Sequence, residues 1–260
     1  MRIHEALPTI PERLHRLIAG HEAVEVHLGC TESRVFRVGD VYYLRAMTSG
    51  SDEPLREDNR ILTWLNRFVP TPEVAHFEEA DGTEYLLMTR IPGRPACELD
   101  ADARATAIAY GEALRQWHHA LDPAACPFVR TLDTQLRRAA SRVEAGRVDP
   151  ESFDAERSHL SPSDVLAALV RERPRRAEQR VVAHGDYSMP NVLFDEHLRV
   201  TGYVDVGRCG VADAHQDLAI GSRSLARNLG DAHVPTFFRA YGADPDPELI
   251  AYYRGLDELF

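Results

Sequence analysis

The fold is decided by one stretch of the chain, Val181-Val182-Ala183-His184-Gly185-Asp186-Tyr187-Ser188-Met189-Pro190-Asn191-Val192-Leu193-Phe194. Strand-like apolar residues enter and leave this stretch, and Pro190 keeps the polar residues between them from closing into a helix. The loop therefore presents Asp186 and Asn191 between two apolar anchors. A following strand, Val200 to Val204, ends in Asp205-Val206-Gly207-Arg208, which supplies a second carboxylate.

Asp186, Asn191 and Asp205 together supply one candidate base and two oxygen ligands. Hard oxygen ligands suit Mg²⁺, which keeps several waters and binds through substrate phosphates. Phosphoryl transfer from a nucleotide needs positioning, a metal and one carboxylate on the acceptor hydroxyl. The alternative is a surface loop whose Asp and Asn side chains only make turns. The joint spacing of the three residues, downstream of a strand-rich half, favours phosphoryl transfer.

The composition limits the chemistry and the partners. The chain has 260 residues, enough for one large domain or two lobes, and 41 acidic against 30 basic residues give a formal net charge of −11. Every basic residue is arginine. A Schiff-base lysine and a P-loop lysine are therefore excluded. An acidic chain disfavours nucleic acid and anionic membranes and favours a cationic partner.

Cysteine usage and hydropathy indicate the compartment. Cys30, Cys97, Cys126 and Cys209 are spread along the chain with no CxxC pair, which predicts free thiols and no zinc site. The first residues lack the apolar segment of a signal peptide, and no stretch approaches the ~20 apolar residues of a membrane helix. We expect a cytoplasmic protein that is monomeric or weakly dimeric.

Local patterns predict two lobes. About the first 90 residues are mostly strands, with hairpin turns at Gly39-Asp40 and Asp81-Gly82 and one helix from about Glu53 to Phe68. The rest is mainly helical, interrupted by a strand-rich insert from Arg180 to Asp205. This pattern predicts a small sheet with one helix, a hinge near residue 90 and a helical lobe that carries the polar loop.

The sequence resembles the aminoglycoside phosphotransferases, specifically the 3′-phosphotransferases, over essentially the whole chain. The resemblance is carried by His184-Gly185-Asp186 with Asn191, by residues 204–208 with Asp213 and Asp217, by the ending Leu256-Asp257-Glu258-Leu259-Phe260, and more weakly by residues 29–36. It implies an α+β, two-lobe protein-kinase-like fold, with a small antiparallel-sheet lobe containing one helix and a larger, mainly helical lobe. We expect residues 1–91 to form the nucleotide-binding lobe and residues 92–260 to carry the catalytic loop and the substrate pocket.

The resemblance also implies roles for individual residues. Asp186 is the expected catalytic carboxylate, Asn191 and Asp205 are expected to hold two magnesium ions, and His184 and Asp217 are expected to support the catalytic loop. ATP or GTP is the expected donor, and its contacts are Thr31, Tyr43, Arg45, Glu57, Thr89, Ile91, Leu193 and Val204. The expected acceptor contacts are Glu151, Asp154, Arg208, Asp257, Glu258 and Phe260.

Arg45 stands where the family has a lysine that touches the phosphates and pairs with a helical glutamate. Helical spacing places Glu57 on an apolar stripe with Ile61 and Leu65, and a buried carboxylate needs a partner. We therefore expect Arg45 to pair with Glu57, the alternative being that Glu57 reaches solvent. Because arginine and lysine are not equivalent at a phosphate site, two hypotheses remain: Arg45 serves in place of the lysine, or the enzyme is impaired.

The acceptor side predicts a cationic small molecule. The acidic run from Asp149 to Glu156 and the carboxylates of the chain end match the family's aminoglycoside site, whereas Arg227 and Asn228 stand where the family can place an acid. The substrate range is therefore expected to be narrow or shifted. We expect ATP- or GTP-dependent phosphorylation of an aminoglycoside 3′-hydroxyl. The alternatives are a kinase of another small alcohol on the same scaffold and a catalytically impaired nucleotide-binding protein.

Overall fold

A computed structural model gives the fold and describes residues 10–26 and 33–260. These residues form two compact units. The first contains the described residues up to Gly93 together with Thr201–Gly207, and the second contains Arg94–Val200 and Arg208–Phe260. No helix among the described residues is long and apolar enough to cross a membrane.

The segment Thr201–Gly207 departs from the expected division at residues 91 and 92, which placed it in the second lobe. It belongs to the first unit because its backbone is bonded there: the amide of Tyr203 donates to the carbonyl of Pro70 at 2.9 Å. Ile91 packs so closely on Gly202 that a Cβ at that glycine would lie 2.6 Å from the Ile91 side chain. A return strand far along the sequence thus completes the first unit.

The first unit is built on an antiparallel sheet with the strand order β1-β2-β3-β5-β4. Its elements are α1 (Glu12–Leu17), β1 (Ala23–Val26), β2 (Arg34–Val38), β3 (Tyr42–Thr48), α2 (Leu55–Leu65), β4 (Val74–Ala80) and β5 (Thr83–Thr89). Gly82 has a φ of 75°, which glycine adopts without strain in a tight hairpin. Leu14 of α1 packs in a core with Phe36, Leu44 and Leu87 of the sheet.

A buried carboxylate fixes α2 to this sheet. Glu84 of β5 is fully buried, and it accepts hydrogen bonds from the backbone amide of Arg56 at 3.1 Å and from its Nε at 2.6 Å. The amide belongs to the first turn of α2, where donors lack partners within the helix and negative charge is favoured. Glu79 contacts the same guanidinium at 3.0 Å from a largely exposed position.

The second unit is mainly helical. Its part of the chain carries β6 (Arg94–Pro95), α3 (Ala103–Ala120), α4 (Leu132–Glu144), α5 (Pro162–Arg171), β7 (Arg180–Ala183), β8 (Val192–Phe194), β9 (Val200–Tyr203, which continues into the first unit), β10 (Gly210–Asp213), α6 (Ala214–Leu229), α7 (Val234–Tyr241) and α8 (Pro247–Asp257). β6 pairs with β8, and β7 pairs antiparallel with β10. Neither β10 nor α7 is predicted from the sequence, since both are short and lack a clear period.

Aromatic side chains hold the polar loop against α3. The Tyr110 and Tyr187 rings stack at 4.7 Å, and each hydroxyl donates to the other residue's carbonyl, at 2.7 Å and 2.8 Å. Trp117 donates from Nε1 to the carbonyl of Val182 at 2.8 Å. Because all three rings are buried, these bonds fix both ends of the turn that contains Asp186.

The paired variants Glu84→Gln and Glu79→Gln test the anchoring of α2. Glu84→Gln should lower the free energy of unfolding by about 1–3 kcal/mol, because a buried, doubly bonded anion is lost. Glu79→Gln should change it by less than ~1 kcal/mol, since exposed ion pairs contribute little. Urea unfolding of the three proteins measures both values, and equal effects would contradict a special role for Glu84.

Candidate active site

One buried carboxylate of α6 holds the polar loop in place through hydrogen bonds. Asp217 has no solvent exposure, and it accepts the backbone amide hydrogens of His184 at 2.7 Å and of Gly185 at 2.9 Å. His118 of α3 contacts the same carboxylate through Nε2 at 2.9 Å, and its Nδ1 lies 2.9 Å from the Tyr241 hydroxyl. The supporting role expected for Asp217 therefore has a structural basis, and His118 extends it.

Gly185 is required at its position by space and by conformation. Its φ is +90°, and a Cβ there would lie 2.2 Å from the carbonyl oxygen of Arg208. Any side chain would therefore push the loop away from the segment that follows it. The backbone of Arg208 thus limits the position of the loop at Gly185.

Asp186 and Asn191 contact each other directly. The Asn191 amide nitrogen donates at 3.0 Å to both the carbonyl oxygen and Oδ2 of Asp186. A single 3₁₀ turn from Met189 to Asn191 brings them together. In this turn the backbone amide of Asn191 donates to the carbonyl of Ser188 at 3.0 Å. Asp186 is half-buried, and the hydrogen bond from Asn191 holds its carboxylate in one orientation.

The ion pair predicted between Arg45 and Glu57 is wrong, because Arg45 pairs with Asp58. Arg45 Nη1 lies 2.6 Å from Asp58 Oδ2, and its Nε lies 3.3 Å from the Ser33 hydroxyl. The buried stripe of α2 contains Leu55, Asp58, Ile61, Leu62 and Leu65. Glu57 lies about 100° around the helix from Asp58, so it is Asp58 that faces β3.

Asp58 also reaches the segment with the second predicted metal ligand. A Cβ at Gly207 would lie 2.5 Å from Asp58 Oδ1, so this glycine permits the close approach of α2. Burial raises the pKa of Asp58 to about 7, Arg45 opposes the rise, and the negative charge of Asp205 adds to it. Asp205 itself is exposed in the left-handed region with a φ of 56°, which Asp tolerates better than most residues.

The other described residues that are expected to contact the nucleotide are divided between the two units. Tyr43 is half-buried on β3. The backbone amide of Thr89 donates to the carbonyl of Glu73 at 2.9 Å. Ile91 and Val204 lie in the first unit, Leu193 is buried in the second, and Thr31 lies outside the described residues.

The acceptor candidates form a charged network in the second unit. Asp154 pairs with Arg227, Asp257 pairs with Arg223, and Glu258 is buried against Arg157 at 2.5 Å. Glu151 is separate from these pairs and lies exposed on a 3₁₀ turn. The acidic residues were thus located from the sequence, whereas their arginine partners were missed because the pairs join residues far apart in the chain.

The chain end approaches the catalytic loop within the second unit. A small crevice is lined by Gly185, Arg208, Asp257 and Phe260 together with Gln135, Gln216, Tyr253 and Leu256. The guanidinium of Arg208 lies 5.7 Å from the centre of the Phe260 ring and 3.7 Å from Asp257. Three predicted acceptor residues therefore border the loop that carries Asp186.

The comparisons agree with this geometry. Residues 23–256 match the model of the phosphotransferase enzyme family, APH. The chain belongs to this family. The phosphotransferase is 32% identical to an aminoglycoside 3′-phosphotransferase of Niallia circulans, over 99% of this chain and 100% of the relative.

Two solved structures resemble the phosphotransferase throughout. The crystal structure of the type VIII aminoglycoside 3′-phosphotransferase has a TM-score of 0.86 and 34% identity, with 95% of this chain and 97% of that chain covered. Aminoglycoside phosphotransferase APH(3″)-Id of Streptomyces rimosus, in complex with ADP and streptomycin, has a TM-score of 0.83 and 29% identity, with 95% of both chains covered. The predicted kinase-like fold class is confirmed.

A double-mutant cycle tests whether Arg45 and Asp58 form one unit. Lysine is shorter than arginine, and glutamate is one methylene longer than aspartate. The double variant therefore keeps about the same combined length as the wild-type pair. Arg45→Lys and Asp58→Glu should each raise the nucleotide KM by about 3- to 30-fold, and the double variant should recover most of the loss, with a coupling of about 1–2 kcal/mol. Additive losses in nucleotide KM would show that the lengths are not matched.

The raised pKa of Asp58 predicts a pH dependence of stability. This carboxyl binds its proton more tightly in the folded chain, at a pKa of about 7 against 3.8 for an ordinary aspartate. The free energy of unfolding of the wild type, relative to that of Asp58→Asn, should therefore fall between pH ~4 and ~7 and be level above that range. Urea unfolding of both proteins across this range measures it, and a constant difference would contradict the assignment.

Proposed function

We propose that this phosphotransferase transfers the γ-phosphoryl group of ATP to a hydroxyl of an aminoglycoside, which we place at the 3′ position. The contact between Asp186 and Asn191, on a loop anchored by Asp217, carries the proposal. The Niallia circulans relative and the type VIII enzyme are both aminoglycoside 3′-phosphotransferases, which supports the 3′ position. The streptomycin complex of the APH(3″) enzyme makes the 3″-hydroxyl the position to test against it.

Asp186 would activate the acceptor. Its carboxylate, oriented by Asn191, would accept a hydrogen bond from the hydroxyl and direct the oxygen toward phosphorus. As the new O–P bond forms and the bond between the γ-phosphorus and the bridging oxygen breaks, the proton passes to Asp186 and the nucleoside diphosphate leaves. Most of the catalytic effect in such a reaction comes from positioning, which matches a loop held by buried bonds.

Arg45 would bind the donor phosphates. Its ion pair with Asp58 presents the guanidinium from β3, and arginine binds phosphate strongly through several donors. This intact pair favours a competent enzyme over the impaired nucleotide-binding protein. The ADP bound by the Streptomyces rimosus enzyme supports ATP as the donor, and GTP is the alternative. We place the enzyme in the cytoplasm, where these nucleotides are available.

Asn191 in the second unit and Asp205 in the first each offer an oxygen that suits the Mg²⁺ ions such a donor requires. The amide nitrogen of Asn191 donates to Asp186, so its amide oxygen is the atom that can ligate, and Asp205 presents an exposed carboxylate. Both are hard oxygen ligands of the kind Mg²⁺ prefers. Magnesium ions held by these residues would neutralise charge on the β- and γ-phosphates.

The acidic charge of the chain and the residues that line the crevice beside the catalytic loop indicate the acceptor. The chain is acidic overall, and Asp257 lies beside Arg208 and Phe260 in the crevice that reaches Gly185. Aminoglycosides are cationic polyols, so they offer both the hydroxyl and the charge that this region would select. Another small alcohol on the same scaffold is the competing acceptor, and a panel of acceptors in an ADP-release assay separates the two.

Asp186→Asn tests the catalytic assignment. Turnover should fall by at least ~10²-fold, the lower range for loss of a general base, while the affinity for Mg-ATP stays nearly constant. Asp195→Asn is the matched control, because Asp195 is also an aspartate of this segment but holds a turn through Arg199 and His197. Steady-state ADP release with kanamycin and streptomycin measures the effect, and normal turnover of Asp186→Asn would remove Asp186 from the reaction.

A further inference from the structure

The carboxylates expected to bind acceptor amines are already paired with arginines of the chain. Asp154 forms an ion pair with Arg227 and lies 3.7 Å from Arg223. The same Arg223 pairs with Asp257. An amine that enters this region therefore meets cations beside the carboxylates, unlike an amine that enters an open acidic pocket.

Arg227 differs from the other arginines in its exposure. The side chains of Arg157 and Arg223 are 18% and 17% exposed, and they pair with carboxylates that are themselves largely buried. Arg227 is 59% exposed, and Asp154 is 20% exposed. Replacement of Arg227 should therefore remove the exposed one of the arginines on Asp154 and open that side of the carboxylate, while Arg157 and Arg223 stay in place at 3.6 Å and 3.7 Å.

The position of Arg227 on α6 directs it to Asp154. It follows Arg223 by one turn, so both side chains lie on the same face of the helix. It also stands in the last turn of α6, where a cation is favoured by the helix dipole. Two arginines of one helix face thus converge on one carboxylate.

The surrounding groups show that Asp154 is stabilised as an anion by the chain. Arg254 lies beside this network and donates to the Ser222 hydroxyl at 3.1 Å. Burial of Asp154 opposes its ionisation, but the charges of Arg223, Arg227 and Arg157 and a hydrogen bond with Glu258 together lower its pKa. The Asp154 anion is therefore neutralised by the chain itself.

We propose that Arg227 is a specificity-determining residue that occupies the place of an acceptor amine on Asp154. The inference rests on the proposed aminoglycoside kinase activity. A good acceptor then presents a hydroxyl, not an amine, to the pair of Arg227 and Asp154. Amine-poor aminoglycosides are accordingly better substrates than amine-rich ones, because an added amine near Arg227 meets a like charge and finds the Asp154 carboxylate already paired.

Kanamycin A and kanamycin B provide a matched test, because kanamycin B carries an amine where kanamycin A carries a hydroxyl. Wild type should have the higher kcat/KM with kanamycin A. Arg227→Ala should lower the KM for kanamycin B by about 3- to 10-fold, the size expected of a partly exposed charge, with a smaller change for kanamycin A. The kcat and the KM for ATP should stay constant, as no reacting group is altered.

Two further variants separate charge at this site from charge in general. Arg227→Lys should keep the wild-type preference because it keeps the cation. Arg171→Ala removes an exposed arginine that pairs with Glu172 on another helix, and it should leave both KM values unchanged. Raised salt should increase the kanamycin B KM more steeply for Arg227→Ala than for wild type, because an uncovered Asp154 attracts the amine.

An Arg227→Ala enzyme with the wild-type ratio of the two KM values would overturn the inference, as would an equal shift in Arg171→Ala. If wild type released no ADP with either kanamycin, the proposed function would fail instead. Calorimetric dissociation constants for the two kanamycins, with wild type and Arg227→Ala, would then decide the inference separately. Equal affinities in both proteins, or no binding, would reject it.

Discussion

The second unit depends on one buried carboxylate that bonds two consecutive amides. Asp217 accepts from His184 and Gly185 and is contacted by His118. A carboxylate without solvent exposure is tolerated only when its oxygens are bonded, so the helix and the loop need each other. The turn that follows contains Asp186 and Asn191, whose mutual contact is therefore a consequence of this anchoring. A catalytic group is thus positioned from the interior.

In the first unit, a long cation and a short carboxylate form the ion pair between β3 and α2. Arginine takes the place of the lysine that the resemblance implies, and Asp58 provides a shorter carboxylate than the expected glutamate. Gly207 leaves room for that carboxylate. In the second unit, arginines also neutralise the acidic residues: Arg157, Arg223 and Arg227 pair with Glu258, Asp257 and Asp154.

Local signals predicted most of the fold. The helix predicted from about Glu53 to Phe68 corresponds to α2 (Leu55–Leu65), and the loop with His184, Gly185 and Asp186 was located from its spacing. The Arg45 partner was missed because Glu57 and Asp58 are adjacent and the helix start decides which one faces the sheet. The strand β10 and the arginine partners were missed because they depend on pairs between distant segments, which a single sequence does not display.

If the anchored loop transfers phosphoryl groups to an aminoglycoside, mass spectrometry should detect the product after incubation of wild type with Mg-ATP and kanamycin. We expect one phosphoryl group added per kanamycin, matched mole for mole by ADP, with fragmentation placing it on the sugar that bears the 3′-hydroxyl. ADP formation without phosphorylated kanamycin or any other phosphorylated aminoglycoside would show that the loop does not phosphorylate aminoglycosides.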